Sequence, residues 1–154
     1  MARLQTSHVQ TAADLLFKVA RRHMLNDDHV TEMLLLMDRR GRHRLISSIS
    51  GVPFQDTPDD IAEEIRDWGA RAMVHVAPFE VTLAEEMATP AGPAHRLAAR
   101  PIQMVMTVGM WPAQDYSIIK AAEVIRSGGT RDLIERDLSE ARPECWLADL
   151  LPQH

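Results

Sequence analysis

His75, set in the alternating run Met73-Val74-His75-Val76, is the residue best placed for acid–base chemistry. It stands near a strand end, where a polar side chain opens onto a pocket, and Glu80 follows within a few residues as a carboxylate partner. An imidazole oriented by a carboxylate is the working pair of many hydrolases. His75 and Glu80 are therefore the candidate catalytic residues. The competing reading is a histidine satisfied by structural hydrogen bonds in or beside the core.

The second concentration of chemistry is Arg39-Arg40-Gly41-Arg42-His43-Arg44. The planar guanidinium fork suits phosphate, so Arg39, Arg40, Arg42 and Arg44 are candidates for phosphate or nucleic-acid binding. No aromatic residue is interleaved for base stacking, and a solvated hairpin turn accounts for the same residues. Cys145, the single cysteine, lies beside Trp146 in an apolar segment, which predicts a buried, inert thiol.

Other chemistries lack their signatures. The seven histidines include no pair spaced by one, three or four residues, so no metal site is predicted. Asp27-Asp28-His29 reads as a solvated loop. There is no phosphate-binding glycine loop, no H-E-x-x-H, no C-x-x-C and no G-x-S-x-G. No cofactor is expected.

The elements that must position these residues follow from periodicity. A helix is predicted over Thr11 to Leu25, with apolar residues at helical spacing. A hairpin follows, with Val30 to Asp38 buried on both faces, Gly41 in the turn and His43 to Ile49 as the return strand. Thr57, Pro58, Asp59 and Asp60 signal the start of a second helix, and Gly69 its end. Ala70 to Ala77 and Ile102 to Met110 alternate as strands. Between them Thr89-Pro90-Ala91-Gly92-Pro93-Ala94 marks a loop, mobile over about 88–96. Tyr116 to Arg126 fits either a strand or a helix; an adjacent antiparallel partner favours the strand. A short helix from near Pro143 turns Trp146, Leu147, Leu150 and Leu151 inward. The expected fold is α+β: one domain over 1–154, with a mainly antiparallel sheet of four to five strands and helices on one face.

From Glu32 to Glu80 the order is strand, Arg-Gly-Arg turn, strand, a helix containing Asp59-Asp60-Ile61-Ala62, then the strand Gly69 to Val76. This layout resembles the core of JAB/MPN (RadC-like) domains. That family builds a zinc site on H-x-H followed by Ser and Asp. Here the strand reads His75-Val76-Ala77-Pro78 with no second histidine, so the resemblance implies no metal role. With Ile102 to Met110 included, the layout is also similar to small uncharacterised bacterial proteins, which implies no activity.

Composition sets the outer limits. The chain has 154 residues, of which 45% are hydrophobic and 25% charged, as in a globular domain. The first residues hold no apolar signal segment, and no run approaches the roughly 20 residues that span a bilayer. With a lone cysteine, these features predict a cytoplasmic chain with no membrane partner. The net charge of −5 argues against nucleic acid as an obligatory partner. The methionines Met33, Met37, Met73, Met104 and Met106 read as strand-core fillers, and with Met110 and Trp111 at a strand end they also suit part of an apolar interface. The leading expectation is thus a non-catalytic binding or assembly protein, a homo-oligomer or a partner of another protein. A hydrolase at His75 and Glu80, or weak phosphate or nucleic-acid binding by the arginines, are the alternatives.

Overall fold

The computed structural model describes residues 3–48, 51–87, 96–138 and 145–154; over 81–87 and 96–101 it describes the backbone. The elements are α1 (Thr6–Asp27), β1 (Met33–Asp38), β2 (His43–Ser47), α2 (Pro58–Trp68), β3 (Ala70–Met87), β4 (Arg96–Trp111), β5 (Tyr116–Ser127) and β6 (Thr130–Arg136). Short 3₁₀ turns occupy Phe54–Asp56, Pro112–Gln114 and Trp146–Leu150. The strands form one antiparallel sheet in the order β2-β1-β3-β4-β5-β6. The α+β class is as expected, and Tyr116–Ser127 is a strand.

The sheet has six strands rather than four to five. The extra strand is β6, which buries only Leu133 and therefore carries almost no apolar signal. It is joined to β5 by Gly128 and Gly129, both at positive φ (56° and 85°), the backbone that a two-residue hairpin turn demands.

The helices lie on both faces of the sheet, not one. Val74, Ala72 and Met37 pack with Val9 and Ala13 of α1. Met73, Leu34 and Leu36, at alternate strand positions, pack with Ile61 and Ile65 of α2 and with Phe54, Leu147 and Leu151. A central strand such as β1, apolar on both faces, needs cover on both sides. The methionines are mostly strand core, as their positions implied: Met33, Met37, Met73, Met104 and Met110 are all buried.

The first helix begins earlier than the apolar periodicity does. His8 Nδ1 accepts the Gln5 backbone N–H at 3.0 Å, closing the first turn from Thr6. At the other end Asp28 adopts φ 54° and bonds through its N–H to the Met24 carbonyl. Its carboxylate is exposed, as the sequence implied, and accepts from Arg126 Nη1 at 3.0 Å on the surface. Arg131 donates to the Met24 and Leu25 carbonyls, satisfying the last turn of α1 from β6.

Helix α1 approaches the sheet most tightly at Gly109. A Cβ there would stand 2.8 Å from Ile118 Cγ2 and 2.9 Å from Val9 Cγ1. Gly109→Ala should therefore destabilise the fold by about 1–3 kcal/mol, through displacement of α1. Urea denaturation checks this; an unchanged midpoint would show that α1 has room to move.

Beyond Glu80 and Gln103, β3 and β4 run on as a two-stranded ribbon to the Met87–Arg96 pair, past the paired ends of β1 and β5. The loop expected near Thr89 to Ala94 and the helix start at Pro143 lie outside the described residues.

Candidate functional site

Strand alternation decides where His75 points. It shares a face with Met73 and Ala77 and lies opposite Leu34 of β1 and Val108 of β4. It is buried, with 5% of its surface exposed. The carboxylate that reaches it is Glu32, not Glu80. Glu80 is five positions along the same strand, an odd separation that turns its side chain to the other face. Glu32 stands two residues before Leu34, so it shares the face of His75. Its carbonyl accepts the Ser48 N–H at 2.9 Å, which extends the hairpin pairing and fixes its backbone.

Glu32 Oε2 lies 2.6 Å from His75 Nε2, while Oε1 accepts the Phe54 N–H at 2.7 Å. The imidazole stands between two rings: Phe54 is tilted at 6.2 Å and Phe79 is edge-on at 6.5 Å. Cys145, at the residue before the Trp146–Leu150 turn, lines the same cleft as His75 and acts on its imidazole. Cys145 packs against the core cluster but is only partly buried, not fully buried as the sequence implied.

Burial pushes the His75 pKa down, but the Cys145 thiol and the Glu32 carboxylate outweigh it and raise it from 6.5 to about 9. Burial likewise raises Glu32, and the His75 and Phe54 hydrogen bonds more than reverse this, leaving its pKa below the ordinary 4.5. At neutral pH the imidazole is therefore a cation beside the Glu32 carboxylate.

These groups border a cleft of about 600 Å³, walled by Phe79, Met106, Val108, Ile119 and Trp146. Phe79 (40% exposed) and Trp146 (36%) leave apolar surface open at its mouth. Glu80 sits at this rim, exposed, and does not touch His75. Among the described residues, no group of three or more His, Cys, Asp and Glu side chains could hold a metal ion, Glu32, His75 and Cys145 included.

The arginine-rich tip lies elsewhere, beyond the far end of β1. Asp38 accepts the N–H groups of Arg40 and Arg42, both at 2.9 Å, and the Arg42 Nε at 2.6 Å. Gly41, at φ 79°, completes the turn. Arg42 and Arg44 lie 5.4 and 5.8 Å from the Trp68 ring centre, and Arg44 also pairs with Glu64 at 3.0 Å. The fold thus supplies the aromatic residue that the basic run lacks.

Sequence reasoning found His75 and missed both its partners. Glu32 is 43 residues away and Cys145 is 70, and no local motif links the three. Only the odd spacing of Glu80 was available as a warning. No protein-family model, curated protein or solved structure matches the chain. No helix among the described residues is long and apolar enough to cross a membrane.

Proposed function

We propose that this chain is a thiol-dependent hydrolase acting on acyl compounds with an apolar acyl group. One observation carries the reading: His75, hydrogen-bonded to Glu32, shares the wall of an apolar cleft with the thiol of Cys145. The methionines that favoured a binding or assembly protein are spent largely on the chain's own core.

The proposed chemistry starts from a Cys145 thiolate paired with the His75 imidazolium. The Cys145 thiolate attacks the acyl carbonyl carbon, forming a C–S bond. The imidazolium of His75 gives its proton to the leaving group as the bond to that group breaks. His75, now neutral, takes a proton from water as the hydroxide attacks the thioester. The C–S bond breaks, the thiolate returns and the acid product leaves. Glu32 holds the imidazole in place and stabilises its charge throughout.

A series of p-nitrophenyl esters of increasing acyl length tests this. The expected result is an acyl adduct on Cys145 seen by intact mass, with kcat/KM rising about three- to fourfold per added methylene until the cleft is filled. Hydrolysis at the same rate by Cys145→Ala, or no adduct on Cys145 with any ester, would overturn the proposal.

A further inference from the structure

A second cavity of about 1080 Å³ opens between the β1–β2 turn, the end of α2 and the start of β3. Arg39, Arg40 and Arg42 line it from the turn, Arg66 from the last turn of α2 and Arg71 from β3. Three separate elements therefore bring five guanidiniums to one groove. Asp38 and Asp149 are the carboxylates on its wall, which leaves a formal excess of three positive charges. The chain as a whole carries −5, so this patch opposes the average.

Structural needs account for part of this charge. Arg42 is bonded to Asp38 and stacked on Trp68, and Arg71 Nη1 donates to the His154 carbonyl at 3.2 Å. The C-terminal end of α2 at Gly69 attracts cations with roughly half an elementary charge. That is too little to explain the rest. Arg66 meets only its neighbour Asp67, at 4.0 Å and on the surface. The guanidiniums of Arg39 and Arg40 have no partner among the described residues. Yet their backbone is not loose, because Asp38 and Gly41 hold the turn. A preorganised turn that aims unpaired guanidiniums along a groove lowers the ordering cost of binding an anion.

We infer that this groove binds a small ligand carrying two or more adjacent phosphate groups. The excess charge suits a diphosphate better than a single carboxylate, and each guanidinium fork matches two phosphate oxygens. The site is separate from the thiol cleft and stands whether or not Cys145 is a nucleophile.

Calorimetric titration of the full chain with inorganic pyrophosphate tests the inference. Saturable binding is expected at about 20 mM salt, weakening steeply towards about 200 mM as counterions compete. The double variant R39A/R40A should bind at least about tenfold more weakly, and so should Arg66→Ala. Both hairpin side chains are exposed and unpaired, so the melting temperature of R39A/R40A should match that of the parent. Arg22→Ala, on the exposed face of α1, should bind as the parent does. A parallel titration with ADP separates bare phosphate from nucleotide: tighter binding of ADP, still dependent on Arg39 and Arg40, assigns a nucleotide, and equal binding assigns the phosphates alone. Absence of saturable binding at low salt, unchanged binding by R39A/R40A, or equal affinity for citrate would overturn the inference.

Discussion

Glu32→Gln is expected to destabilise the folded chain by about 2–3 kcal/mol near neutral pH and to flatten its response to alkali. The substitution keeps the shape of the side chain and removes its charge. The amide oxygen of the variant can still accept the Phe54 N–H, but it no longer compensates an imidazolium that is almost entirely buried. His75 has a folded pKa of about 9, raised from 6.5. Its contribution is therefore full below 6.5 and is lost as pH rises through about 9. Glu32 behaves in the opposite sense. Its pKa is depressed below 4.5, so its contribution is present above 4.5 and lost as pH falls through the folded value. Together the two place the greatest stability from this pair between about 4.5 and 6.5. Urea denaturation across about pH 5 to 10 reads the effect directly. The parent should lose about 3 kcal/mol between pH 6.5 and 10, and Glu32→Gln clearly less. Parallel curves for the two proteins would mean that the pair is not ionic.

His75→Gln should reduce kcat/KM for the best ester by about 10²–10⁴-fold, the usual range for loss of a positioned acid–base group. A merely structural histidine would show itself differently. Its loss would change the amount of folded protein but not the pH profile of what remains. Here the parent should lose activity above about pH 9, where the imidazolium gives up its proton and can no longer protonate the leaving group. That alkaline limb should vanish in His75→Gln. Burst kinetics separate the two half-reactions. Slow release of p-nitrophenol places the defect in acylation, whereas a normal burst followed by a stalled adduct places it in attack by water. A full-strength parent-like profile in the variant would remove His75 from the mechanism.

The fold was legible where single residues constrain the backbone. Thr57-Pro58 and Gly69 bracket α2 as expected, and Gly69 indeed adopts φ 68°. The alternation of Ala70 to Ala77 gave both faces of β3 correctly, which is why His75 could be singled out. Legibility failed where the constraint is tertiary. Strand β6 buries one leucine, so its sequence looks like a charged loop. The start of α1 depends on a histidine cap that does not resemble the usual Ser, Thr or Asp. The site failed for a related reason. Each member is ordinary in its own segment: Glu32 precedes a strand, His75 interrupts one, and Cys145 precedes a turn rich in leucine. Only the sheet order β1-β3, with the Trp146–Leu150 turn laid on the same face, makes them neighbours. The hairpin arginines were visible as a run, but Arg66, Trp68 and Arg71 join them only through the end of α2 and the start of β3.

The Cys145 thiol is carried on a short segment anchored by Leu147 and Leu151, each almost wholly buried beneath the sheet. Burial of two leucines supplies about 2 kcal/mol apiece, far less than the cooperative unfolding of six hydrogen-bonded strands would require. Such a segment is expected to open locally ahead of global unfolding. Its transient detachment would carry the sulfur away from the imidazole while Glu32 and His75 stayed locked in the sheet. Amide exchange over residues 145–154 and chemical reactivity at sulfur would then report a single local equilibrium, so the sulfur is tethered by packing and not by the sheet that holds Glu32 and His75.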